Sequence, residues 1–95
     1  ARIGVRFGVM PGTYEEGVGG VPVGSVSAGG PAEAAGLLAG DLMTHWNGTE
    51  LADVMQWMEL LGQHQPGDRV QVTVQRAGES LVLWATLEGL QRTDG

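Results

Sequence analysis

The sequence contains no cysteine and no lysine. Without thiols, a disulfide framework and a thiolate zinc site are both excluded. Without lysine there is no serine–lysine dyad, and the basic side chains are five arginines: Arg2, Arg6, Arg69, Arg76 and Arg92. They are scattered among eleven acids, giving a net charge of −6. Phosphate neutralisation needs a clustered basic surface, so nucleic acid and anionic membrane surfaces are not expected partners. Long apolar runs are missing too. Nothing approaches the roughly 18 residues that span a bilayer, and Ala1 with its neighbours does not read as a signal peptide, so membrane insertion of this segment is not expected.

Catalytic and metal-binding patterns are equally sparse. His45 and His64 are the only histidines, and neither has a second ligand at helical or hairpin spacing. His45 reads as a strand residue facing solvent and His64 as a loop residue. Ser25, Ser27 and Ser80 lack the G-x-S-x-G setting of an activated nucleophile. The glycine-rich run Gly17–Gly24 lacks phosphate-loop spacing and is not followed at once by a helix. Glu15 and Glu16 are adjacent carboxylates in a polar loop, a setting in which they are solvated rather than paired for acid–base work. The sequence therefore predicts a non-catalytic module with no catalytic residue, no metal and no cofactor.

What remains is a chain of 95 residues, the size of one domain with one modest core. Because it opens on Ala1, close to its first motif, residues 1–95 are expected to be a single domain excised from a longer polypeptide. Seventeen glycines fall singly or in pairs where apolar runs stop, and so read as turns.

The stretch Gly29–Asp41, GGPAEAAGLLAGD, organises the rest. Pro31 suits a first helical position, Ala32 to Ala35 continue the helix, and Gly36 stops it. Gly40-Asp41 then turns into the apolar run Leu42–Trp46, which ends at Asn47-Gly48. Before it, Phe7 to Met10 reads as a loop passing into a strand that Pro11 cuts short. Gly12–Gly20 is a polar, acidic loop. Val21–Ser27 reads as a strand with a bulge at Gly24. After it, Asp53–Leu61 is the one substantial helix, with Val54, Met58 and Leu61 on one stripe, extended by Trp57 and Leu60, and with Gly62 as its cap. Val70–Val74 alternates as a strand. Ala77-Gly78 turns the chain into Leu81–Leu87, apolar on both faces and hence expected to be central or well covered. Ala1–Val5 is a lead-in, and Gly89–Gly95 a polar tail expected to fray.

This order of residues resembles the PDZ domain of bacterial proteins. The shared pieces are a small-residue strand, the GPA helix, AGL, GD, an apolar strand and NG, with Pro66-Gly67-Asp68, the Val70–Val74 strand and Arg76-Ala77-Gly78-Glu79 downstream, and Arg6-Phe7-Gly8-Val9 where the family keeps a carboxylate-binding loop. The likeness covers about Val5 to Leu87. It implies an α+β, mainly β fold: a partly open five- to six-stranded barrel capped by two helices. It also implies the permuted arrangement usual in bacterial members such as HtrA-type, tail-specific and site-2 proteases, with Leu81–Leu87 in place of an N-terminal strand before the loop.

The implied function is peptide recognition. An extended peptide with an apolar C-terminus would add as a strand, its carboxylate received by backbone N–H groups of Phe7, Gly8 and Val9. Gly8 would permit close approach, Phe7 and Val9 would line the last side-chain pocket, and Arg6 would attract the carboxylate or stay solvated. Met10 continues the strand. Val54, Met58 and Leu61 would line the helix side of the groove, the alternative being that these are core and Trp57 or Leu60 faces the peptide. Val54 in place of a histidine would favour an apolar side chain two before the terminus, and the acidic Tyr14-Glu15-Glu16 loop would repel acidic ligands. The host implied is a bacterial envelope peptidase, with M-P-x-x-Y and G-G-P-A most like the modules of aminopeptidase-like zinc peptidases. The alternative role is structural, a domain packed on its catalytic neighbour without free ligand.

Overall fold

The structure is a computed structural model and describes residues 5–12 and 19–89. The expectations for Ala1–Gly4, for Tyr14-Glu15-Glu16 and for the tail beyond Gly89 lie outside the described residues.

The chain runs β1 (Val5–Arg6), β2 (Val9–Pro11), β3 (Val21–Val26), α1 (Pro31–Ala35), β4 (Leu42–Trp46), β5 (Thr49–Glu50), α2 (Val54–Leu61), β6 (Arg69–Arg76), β7 (Glu79–Thr86) and β8 (Glu88–Gly89). Six strands form one antiparallel sheet in the order β2-β3-β4-β6-β7, with β5 paired to β4, and β1 pairs with β8 in a second, two-stranded sheet. This is the mainly β, two-helix architecture that the family resemblance implies.

The core follows the period of the strands. On β6, Val70, Val72 and Val74 are fully buried, as strict alternation requires. They join Val21, Val23, Met43, Leu37, Leu51, Ala85 and Leu87 around an aromatic cluster. In that cluster Trp46 lies edge-on to Phe7, with centroids 5.1 Å apart, and 6.2 Å from Trp57 of α2. Such edge-to-face pairs each add about 0.5–1.5 kcal/mol beyond area burial.

Local chemistry explains both helices. In α1, Pro31 takes the first position and Gly36 adopts φ 101° as the left-handed stop. Glu33 reaches back so that its Oε1 accepts the Gly29 N–H at 2.7 Å, favourable at a helix start. In α2, Asp53 lies just outside the helix as its N-cap, accepting the Gln56 N–H at 2.8 Å, and Gln56 Oε1 accepts from Ala52 at 2.6 Å. Gly62 does not provide a left-handed stop, since its φ is −67°. The helix ends instead through N–H bonds of Gly62 and Gln63 back to Met58 and Leu60, before the turn at Pro66-Gly67.

One expectation about Leu81–Leu87 is corrected. The strand is not central: β7 is the last in its sheet, with Val82 and Trp84 exposed at 54% and 49%. Its inner face packs against the core and α1, whereas its outer face is apolar because Trp84 lies beneath the Arg69 guanidinium, 4.8 Å from the ring centroid. It pairs with β6 along its whole length, as the permuted arrangement implies, while Val5–Arg6 leads into the loop, held by Glu88–Gly89.

Two polar anchors fix the ends of this frame. Asp41, only 2% exposed, accepts from Arg76 Nε at 2.8 Å and Nη2 at 2.7 Å and from the Leu38 N–H at 3.0 Å. Arg76 also donates to the Gly36 carbonyl at 2.8 Å, so the stop of α1 is tied to the end of β6. The Arg76 hydrogen bonds hold the Asp41 carboxyl below its ordinary range against the opposing effect of burial. At the other anchor, the buried Trp46 indole N–H donates to His64 Nε2 at 2.9 Å, while His64 Nδ1 lies 3.1 Å from Asp68 Oδ2. His64 is thus a loop residue that satisfies a core tryptophan. His45 is half-buried, not solvent-facing, with Nδ1 3.0 Å from Thr44 Oγ1.

Candidate functional site

β2 is the edge of the large sheet opposite β7, so one side of its backbone has no sheet neighbour among the described residues. Which groups occupy that side follows from the planarity of the peptide unit, in which N–H and C=O point in opposite directions. The Phe7 carbonyl accepts the Ala32 N–H at 2.9 Å, so the Gly8 N–H of the same unit points away from α1. The Gly8 carbonyl accepts the Ser27 N–H at 2.9 Å, so the Val9 N–H points away from β3. Two successive backbone donors are therefore turned outward, a small concentration of partial positive charge.

The glycine in this loop is set by backbone conformation. Gly8 has φ +92°, in the left-handed region that L side chains rarely adopt. The sequence reading assigns it the task of allowing close approach, but a Cβ there would meet only Gly30, Ser27 and Pro31 at ordinary contact distances of 3.6–3.8 Å. The dihedral, not crowding, demands glycine.

Further along, β2 pairs Met10 with Ser25 and Pro11 with Val23, skipping Gly24 as the expected bulge. Gly24 has to be glycine, because a Cβ would come within 2.9 Å of the Gly12 Cα. The Gly12 N–H donates inward to Pro22 at 2.9 Å, and the ladder alternates. Residues 10 and 12 therefore bond into the sheet while residues 9 and 11 face its free edge. Pro11 has no N–H to present there.

The side chains divide as follows. Phe7 is 2% exposed and packs on Trp46 and Trp57, so it forms the floor beneath the loop rather than an open wall. Val9 is half-buried against the core, and Met10 is 66% exposed. Arg6 faces Glu88, its Nη1 3.6 Å from Oε1, with Nη2 close over Gly30. On α2, Trp57 and Leu61 are buried. At 100° per residue they define the core-facing line, Val54 and Met58 flank it on one side, and Leu60 flanks it on the other. Val54 and Leu60 are half-buried and Met58 is 44% exposed. The structure thus joins Phe7 to α2 through Trp57, places Leu61 in the core and leaves Val54 and Met58 on an accessible flank. Met55, 76% exposed, is not among the residues that the sequence reading selects. Its spacing of three from Met58 was the available signal.

A cavity of about 390 Å³ lies elsewhere, between α1 and the end of β7, walled by Pro31, Ala35, Trp84 and Glu88. It contains none of the predicted site residues. Among the described residues there is no cluster of three or more potential metal ligands, and no helix is long and apolar enough to cross a membrane.

Comparison with known proteins gives a consistent set of likenesses. The family model described as "PDZ domain" matches residues 1–87. The chain is 37% identical over 70 residues to the serine protease Do-like HtrA of Lactobacillus helveticus, covering 74% of this chain and 17% of that protein. It is 40% identical over 57 residues to a putative zinc metalloprotease of Neisseria meningitidis, covering 60% of this chain and 13% of that one. Among solved structures, the HtrA-type protease AlgW with a decapeptide superposes with a TM-score of 0.84 at 26% identity, covering 95% of this chain and 30% of that one. The chain therefore spans less than a third of the length of each of these proteins.

Proposed function

The chain belongs to the PDZ family, and from that premise we propose that it is a peptide-recognition module receiving an extended segment with an apolar C-terminus at the free edge of β2. The observation that carries this reading is the pair of outward N–H groups on Gly8 and Val9, fixed by the bonds of Phe7 and Gly8 to Ala32 and Ser27. In this reading the terminal carboxylate is received there and by the Phe7 N–H. The last side chain rests on Val9 over the Phe7 floor, and Val54, Met58 and the edge of Leu61 form the opposite wall. Arg6, held near Glu88, adds long-range attraction. Val54 accommodates an apolar side chain two before the terminus.

The backbone bonds available are few, because Pro11 presents no donor. Affinity near micromolar, about −8 kcal/mol, is the scale expected after the ordering cost of the peptide. The module serves a bacterial envelope peptidase, supplying or selecting substrate for a catalytic domain. Serine and zinc proteases are both among the hosts of similar modules.

A second reading, in which the domain packs on its catalytic neighbour and binds no free peptide, draws support from the exposed apolar pair Val82 and Trp84 on the outer face of β7.

Amide NMR titration with peptides bearing free or amidated apolar C-termini separates the two. Shifts at Gly8, Val9 and α2 with free carboxylates alone support recognition. No shift at millimolar peptide overturns it in favour of packing.

A further inference from the structure

Of the four methionines, Met43 is fully buried in the core, whereas Met10, Met55 and Met58 are 66%, 76% and 44% exposed. The three exposed ones lie on β2 and α2, the two elements that border the proposed groove. Met10 lies on the edge strand between the outward-facing positions 9 and 11. Met55 and Met58 are three apart on α2, neighbours on its surface. A peptide added to β2 alternates its side chains between two faces. One set meets the α2 wall at Met58 and the next set meets Met10. Unbranched thioethers suit this place, since they repack around varied apolar partners.

The same chemistry makes the rim oxidisable. We infer that Met10, Met55 and Met58 form a modification site at which a peroxide switches peptide binding off, an inference that rests on the peptide-groove reading above. In the reaction the thioether sulfur donates a lone pair to one peroxide oxygen. The S–O bond forms, the O–O bond breaks, sulfur is oxidised by two electrons, and hydrogen peroxide is reduced to water. The product is a polar, chiral sulfoxide where the ligand requires an apolar surface. Met43, shielded in the core, is spared, so the fold survives the change. Binding, not stability, is the property switched.

The test uses the 95-residue chain treated with dilute hydrogen peroxide, with peptide mapping by mass spectrometry. A panel of fluorescent peptides with free apolar C-termini is titrated by anisotropy before and after treatment. The expected result is one added oxygen each on Met10, Met55 and Met58, none on Met43, an unchanged melting temperature and affinity weakened about tenfold or more. In a Met10→Leu/Met55→Leu/Met58→Leu variant, the affinity measured before treatment, set by leucines in the same wall, should be the same after peroxide. Equal affinity before and after oxidation overturns the inference while leaving the groove intact, and so does loss of binding in the triple-leucine variant on treatment. If the untreated chain binds no peptide in the panel, the groove reading itself fails and this inference fails with it.

Discussion

Restoring a backbone donor at residue 11 should tighten peptide binding, and the size of the gain follows from the ladder. Residues 9 and 11 face the free edge because Gly12 bonds inward to Pro22 and Met10 opposes Ser25. With a carboxylate at Gly8 and Val9, an antiparallel peptide brings the residue two before its terminus opposite position 11. Its carbonyl finds no donor there, since proline has none. Pro11→Val keeps a half-buried apolar side chain and supplies the N–H. One net hydrogen bond contributes about 0.5–1.5 kcal/mol, so affinity for a hexapeptide with a free apolar C-terminus should rise about two- to tenfold. Stability should change by less than about 1 kcal/mol, the unfolded chain gaining freedom while strand preference improves. Calorimetric titration of the hexapeptide and of a dipeptide with the same ending measures the effect. The dipeptide cannot reach residue 11, so its affinity should be unchanged. An equal gain for both ligands, or none for the hexapeptide while the newly introduced amide at position 11 shifts on binding, would refute the register.

Gly8→Ala should lower stability by about 1–2 kcal/mol through the φ of +92° alone and weaken peptide binding at least tenfold as the loop relaxes; wild-type affinity in a folded variant, checked by the same titration, removes the loop from the site. Ala77 occupies φ +52° in the exposed β6–β7 turn, so Ala77→Gly should raise stability by about 0.5–1 kcal/mol, a gain in Tm of several degrees by calorimetry. The Asp41 carboxyl is held below its ordinary value chiefly by the Arg76 hydrogen bonds. A depressed folded-state value means stability that is fully present above the ordinary carboxylate pKa of about 4 and is lost as pH falls through the lower folded value. Denaturant titrations between about pH 2 and 6 should show that loss, and Asp41→Asn should flatten it; an identical slope in the variant would show that other carboxylates govern acid unfolding.

The sequence order alone located both helices, the bulge at Gly24 and the turns, because each rests on residues whose local physics is narrow: Pro31 at a helix start, Gly36 as its left-handed stop, Gly40 and Asn47-Gly48 in turns. It could not separate the faces of α2, since an apolar arc wider than half the helix leaves the core-facing line undetermined until Phe7 and Trp46 arrive beside Trp57. It misjudged Leu81–Leu87 for a related reason. Apolar residues on both faces read as central, but Trp84 is sheltered by a cross-strand arginine 15 positions away, a partner that no periodicity displays. His64 looked like an idle loop residue because its partner Trp46 lies 18 residues away.

The bond from Ala32 to the Phe7 carbonyl joins residues 25 positions apart. The orientation of the receiving N–H groups is therefore a property of the folded domain and has no counterpart in the isolated loop or in the unfolded chain. Ligand affinity and folding are thereby linked by mass action. A peptide present at about a hundred times its dissociation constant should stabilise the native state by roughly 2.7 kcal/mol, enough to move the melting temperature by some ten degrees in a domain of this size. Thermal shift across a peptide library would then rank natural ligands without a label or a catalytic readout.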